Sequence, residues 1–107
     1  MSEKVLNLTG SIILPLLSGV LVLKEQRGSL NDIKETGFYE ILQNAHTDLP
    51  KGAYRYGVLL VLSTKEFGIQ IYIPHQKTNA YYLYVRRAYK GVWTTWNSIA
   101  TTEMEES

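Results

Sequence analysis

Between residues 56 and 87, three short stretches read as strands, with turn residues between them. Residues 56–62 (YGVLLVL) form a continuous apolar run of strand length, which predicts a central strand covered on both faces. Residues 68–73 then alternate, with Ile69, Ile71 and Ile73 on one side and Gln70 and Tyr72 on the other. Residues 81–87 alternate again: Tyr81, Leu83 and Val85 share one side, Tyr82, Tyr84 and Arg86 the other. Strand side chains point alternately to the two faces of a sheet, so this period predicts half-buried strands with their aliphatic sides inward. No long stretch has an apolar period of 3.6. The pattern confines the chain to a mainly β fold, a small antiparallel β sandwich or barrel-like knob.

The 107 residues suffice for one domain, which can bury about two thirds of the surface its unfolded chain exposes. Val58, Leu60, Ile69, Ile71, Leu83, Val85 and Trp96 are its expected core. Around the three strands, Ser29 followed by Asp32 predicts a capped helical turn. Residues 38–42 predict a strand, and Pro50 and Gly52 mark a loop over 45–55. Pro74 ends the second strand and Lys90-Gly91 turns the chain into a closing strand over 92–99, which holds both tryptophans. The expected division is an N-terminal oligomerisation or attachment arm over 1–28, a β knob over 29–99 and a flexible acidic tail over 100–107.

The arm contains the most apolar segment, residues 11–23 (SIILPLLSGVLVL). A bilayer-spanning helix needs about 20 apolar residues, and Pro15 and Gly19 interrupt this run, so no membrane span is expected. Glu3 and Lys4 cancel where a signal peptide would be positive, and no small-x-small cleavage pattern follows Leu23. An extended arm would expose Ile12, Ile13, Leu14, Leu16, Leu17, Val20, Leu21 and Val22, a patch that soluble monomers rarely show. These residues are therefore expected to be buried against other copies of the chain or against another protein.

The sequence offers little for catalysis. There is no cysteine, and the two histidines, His46 and His75, have no partner at metal-ligand spacing. No phosphate loop and no nucleophile elbow appear. The expectation is no enzyme, no metal and no cofactor. Binding is the better prospect. In residues 81–90 (YYLYVRRAYK), Tyr82 and Tyr84 could stack bases while Arg86, Arg87 and Lys90 track phosphates. The same residues could lie against sugar rings and bond hydroxyls, or simply complete a sheet. The net charge of +1, from 11 basic and 10 acidic residues, weighs against nucleic acid, whose duplex-binding proteins carry a clear basic excess. Tyr54 and Tyr56 flank Arg55 in period two and are candidates for an exposed rim. The candidate surface-binding residues are thus Tyr54, Tyr56, Tyr82, Tyr84, Arg86 and Arg87.

The motifs also occur in a familiar order. Leu30-Asn31-Asp32-Ile33 is followed by Gly37-Phe38-Tyr39, a proline-containing loop and Tyr56-Gly57-Val58-Leu59-Leu60-Val61. Then come Gln70-Ile71-Tyr72-Ile73-Pro74, Tyr84-Val85-Arg86, Gly91 and Trp93-Thr94-Thr95-Trp96. This series resembles the small knob domains of bacteriophage tail fibres and pyocin-type fibres, over about residues 29–99. Thr36 stands where that family often has proline. The resemblance implies a structural or adhesive virion protein without cofactor, made in the host cytoplasm. With fewer than 30 residues before the knob, it implies a short head fibre or a tail or baseplate decoration. Such a fibre would be a homotrimer, attached through its arm to other virion proteins, with its knob placed to touch host surface glycan. The alternative from the residues is a single-stranded nucleic-acid-binding protein using the 81–90 strand.

Overall fold

In a computed structural model, residues 23–79 and 81–106 are described. They form nine strands: β1 (Leu23–Lys24), β2 (Gly28–Ser29), β3 (Gly37–Ile41), β4 (His46–Thr47), β5 (Gly57–Ser63), β6 (Phe67–Pro74), β7 (Tyr81–Tyr89), β8 (Val92–Trp93) and β9 (Asn97–Ala100). A single 3₁₀ turn, Leu30–Asp32, follows β2, and the Ser29 hydroxyl caps it by accepting from the Asn31 N–H. The mainly β fold expected from period two is the one observed. The arm residues Ile12, Ile13, Leu14, Leu16, Leu17, Val20 and Leu21 lie outside the described residues. Leu23, Lys24 and Gly28, assigned by sequence to the arm, pair into sheets.

The main sheet runs β1-β3-β5-β6-β7-β8, and β9 also pairs with β7. The pairs from β3 to β9 are antiparallel, while β1 joins β3 in parallel. A small parallel pair, β2 with β4, stands apart. Two glycines permit close approaches, one between β3 and β1 and one between β5 and β6. Gly37 has φ +155°, and a Cβ there would press on the Lys24 side chain. At Gly57 a Cβ would strike the Ile73 carbonyl oxygen and come within 2.7 Å of Pro74 Cα, so β5 and β6 can close only over glycine.

The core sits on one face of the sheet, beneath the 30–33 and 49–53 segments. It is built from Leu30, Ile33, Tyr39, Ile41, Leu49, Ala53, Leu59, Val61, Tyr72 and Tyr84. This is the face opposite to the one expected. Gln70, Tyr72, Tyr84 and Arg86 point into the core, whereas Val58 and Ile69 are exposed and Leu60, Ile71, Leu83 and Val85 are only half-buried. Trp96 does pack against the core. Strand β5, expected to be covered on both sides, is covered on one by the described residues.

The reason lies in what covers the sheet. Loops have backbone carbonyls that no ladder satisfies, and a buried carbonyl needs a donor. Gln70 Nε2 donates to the Leu30 and Ile33 carbonyls at 2.7 and 2.9 Å. Tyr72 Oη donates to the Tyr54 carbonyl at 2.5 Å. An all-aliphatic face would take these side-chain donors away from the Leu30, Ile33 and Tyr54 carbonyls.

Candidate functional site

The site is built where the sheet's last edge is interrupted. β8 and β9 both pair with β7, but at different places: β8 opposite Ala88 and Tyr89, β9 opposite residues between Tyr81 and Val85. Residues 94–96 bow out between them. Thr94 pins the bow, its N–H donating to the Arg87 carbonyl at 2.7 Å and its hydroxyl accepting from the Arg87 N–H at 3.0 Å. Trp93 and Trp96 stand at the two ends of this bow, and Arg86 reaches between them.

The Arg86 guanidinium lies 4.6 Å from the Trp93 ring centre and 4.5 Å from that of Trp96. Both indoles are held from behind: Trp93 Nε1 donates to the Asn31 carbonyl at 3.0 Å and Trp96 Nε1 to the Asp48 carbonyl at 3.1 Å. Arg86 Nε donates to Gln70 Oε1 at 2.9 Å and Nη1 to Asn31 Oδ1 at 2.8 Å. Its Nη2 has no hydrogen-bond partner although the residue is only 5% exposed. Burial pushes the guanidinium down to about 10, and the nearby Asp48 charge acts in the opposite direction. No carboxylate bonds the cation directly among the described residues.

Beside Arg86 runs an open groove of about 500 Å³, lined among others by Asp48, Lys51, Tyr84, Thr95, Trp96 and Ser98. Asp48 adopts φ +63° and accepts a hydrogen bond from the Ser29 hydroxyl, which ties the loop wall to the helical turn. Nη2 itself is closed off from solvent, so what the groove offers a ligand is an indole, hydroxyls, the Asp48 carboxylate and the Lys51 ammonium. Such a set suits a polar, ring-shaped or anionic ligand.

The residues singled out by sequence scatter. Tyr84 and Arg86 are buried, so they form no exposed stacking platform. Arg87 pairs with Ile69 on the opposite face of the sheet. The register against β9 shifts between Tyr81 and Leu83. Tyr81 accordingly packs on the core and edge-on to Tyr84 at 6.2 Å, rather than sharing the side of Leu83. Tyr82 is exposed and carries Lys77 over its ring at 6.0 Å. Tyr54 and Tyr56 do come together, with ring centres 5.7 Å apart, and Tyr56 is exposed.

Sequence reasoning missed Asn31, Gln70 and Asp48, whose roles depend on contacts 16 to 55 residues apart. It assigned the tryptophans to packing alone; the Tyr-x-Arg and Trp-x-x-Trp strings were the available signal. His46, expected in a loop, is in β4 and buried. Its Nδ1 accepts from the Leu42 N–H at 3.1 Å and its Nε2 donates to the Gln26 carbonyl at 2.6 Å, so both ring nitrogens hold backbone. Among the described residues no group of three His, Cys, Asp or Glu could hold a metal ion. Nor is any described helix long and apolar enough to cross a membrane. No known protein family, curated protein or solved structure matches the chain.

Proposed function

We propose that this protein is a short fibre or decoration protein of a bacteriophage virion. It attaches to other virion proteins through its N-terminal arm, as a homotrimer on the particle, and projects its β knob. The groove beside Arg86 is where the knob meets host cell-surface glycan. The observation that carries this reading is the open groove itself, where the half-buried Trp96 indole, backed by the Arg86 guanidinium, stands beside Thr95, Ser98, Asp48 and Lys51. An indole offers a face for a sugar ring, and the hydroxyls, carboxylate and ammonium around it can bond sugar hydroxyls. The ordered motifs from Leu30 to Trp96 support the virion part of the reading.

Nucleic acid is the weaker reading. Of its proposed stacking and phosphate-tracking residues, Tyr84 and Arg86 are buried and Arg87 faces away. Two measurements test the proposal. Antibody against the chain should label intact particles, and its absence from every particle would overturn the virion role. Ser98→Trp, which fills the groove from the exposed strand β9, should abolish glycan binding while leaving the fold intact; undiminished binding would remove the groove from the account.

A further inference from the structure

The sheet face opposite the core is apolar and uncovered among the described residues. Its cross-strand rows follow from the register. One row runs Val58, Ile73, Leu83 and Ile99; a second runs Phe38, Leu60, Ile71 and Val85; Leu62 and Ile69 extend it. Val58 is 42% exposed, Ile73 43% and Ile99 46%. An antiparallel sheet with one face in water ordinarily alternates apolar inside and polar outside. Here the outer face has the aliphatic residues and the inner face has Gln70, Tyr72, Tyr84 and Arg86.

We propose that this face is an interface between copies of the chain, packed sheet to sheet. Two observations select a second copy as the occupant. The first is area. Val58, Leu62, Ile69, Ile73 and Ile99 are each 36–46% exposed on this one face, a contiguous apolar patch of the kind that marks an interaction surface and that a stable interface buries. The second is charge. The apolar rows end at Glu40 beside Val58 and at Arg87 beside Ile69, diagonally opposite across the sheet. A second copy turned by a two-fold axis can therefore set Glu40 of one copy against Arg87 of the other. Closed symmetry would bury it fully on every copy. This contact is separate from the arm assigned to attachment and trimer formation above, and either can fail without the other.

The chain has no cysteine, so one introduced thiol reports one position. Full-length Ile73→Cys, treated at micromolar concentration with a short bis-maleimide, should give covalently linked copies. Full-length Lys65→Cys, in the exposed turn between β5 and β6, should give few. Full-length Ile73→Glu should lose contact at this face while keeping its β circular dichroism, shifting the sedimenting species to smaller size. If Ile73→Glu fails to fold, the cross-linking pair decides alone. A freely reactive Ile73→Cys thiol in an uncross-linked chain would mean the face takes another partner or none, and would overturn the proposal. A protected thiol in a sedimenting monomer would mean that the chain's own N-terminal segment covers it, and would also overturn it. An oligomer that Ile73→Cys does not link would leave the arm as the contact and refute the sheet interface.

Discussion

The Arg86 guanidinium lies 4.5 Å from the Trp96 ring, and Trp96 is itself fixed by its Nε1–H to the Asp48 carbonyl. The stack therefore couples the last interrupted edge of the sheet to the loop that walls the groove. Cation–π contacts are worth roughly 2 kcal/mol when desolvated, and this cation has an indole on each of two sides.

Lysine should not replace Arg86. A single ammonium cannot bond Gln70 Oε1 and Asn31 Oδ1 together while lying flat between two rings. Arg86→Lys should lower the melting temperature by about 5–10 °C, the equivalent of one to two kcal/mol in a domain of this size. A thermal scan by circular dichroism reads this directly; an unchanged midpoint would mean the sandwich contributes nothing to stability.

Gln70 should be the least replaceable residue of β6 despite its polarity. Gln70→Leu leaves the Ile33 carbonyl and Arg86 Nε without these partners and the Leu30 carbonyl with only the Ile33 N–H, at about 1–3 kcal/mol per unsatisfied buried group. Ile69→Gln, one residue away on the open face, should alter folding stability by about 0.5 kcal/mol or less when measured at high dilution. Urea denaturation of the two variants distinguishes the observed faces from the reverse arrangement, in which the ranking would invert.

The way the faces were misread has a physical cause. Period two in β6 and β7 tells which residues share a side; it does not tell which side is covered. Ile69, Ile71 and Ile73 look like core because they are apolar, and they are indeed fit for burial. The 30–33 segment lies instead on the side where Gln70 offers donors for its carbonyls, and those contacts join residues 37 and 40 apart. By contrast the Ser29 cap and the strand positions are local and were legible. The Arg86 site was not, because it depends on β8 and β9 sharing one edge of β7 with a bow between them. The shift in register after Tyr81, which separates the tyrosines of the aromatic stretch, likewise has no marker in the string.

Gly57→Ala should be severe and Gly52→Ala mild. The first drives a methyl into the backbone of Ile73 and Pro74 across the β5–β6 pair, and a loss of about 3 kcal/mol is expected from such overpacking. At Gly52 the space is open but φ is +81°, so the cost is conformational, about 1 kcal/mol. Comparable midpoints for the two variants in denaturant would contradict the close approach at Gly57.

Stability should fall in alkali. Burial raises the phenols of Tyr39, Tyr72 and Tyr84 above their ordinary value of 10.0, aided by Glu35 at Tyr39 and by Tyr81 at Tyr84. The unfolded chain then loses these protons first, so their contribution is complete below pH 10 and declines as pH rises through the folded values. Arg86, lowered by burial, titrates in the opposite sense, one group against three. The melting temperature should be flat from pH 8 to 9.5 and drop beyond 10. Tyr72→Phe should flatten the drop while costing about 1 kcal/mol at neutral pH for its lost bond to the Tyr54 carbonyl; an unaltered pH profile in that variant would remove Tyr72 from the account.

The most direct measurement of the proposed function follows the side-chain N–H signals of Arg86 Nε and of the Trp93 and Trp96 indoles by nitrogen–proton NMR of full-length protein. A set of bacterial surface oligosaccharides, acidic and neutral, would be titrated beside a single-stranded oligonucleotide. The account predicts that a surface sugar shifts the Arg86 and Trp96 signals saturably, and that the shift survives physiological salt. Shifts produced by the oligonucleotide instead, centred on Tyr82 and lost steeply with added salt, or groove signals that no surface glycan moves, would contradict it.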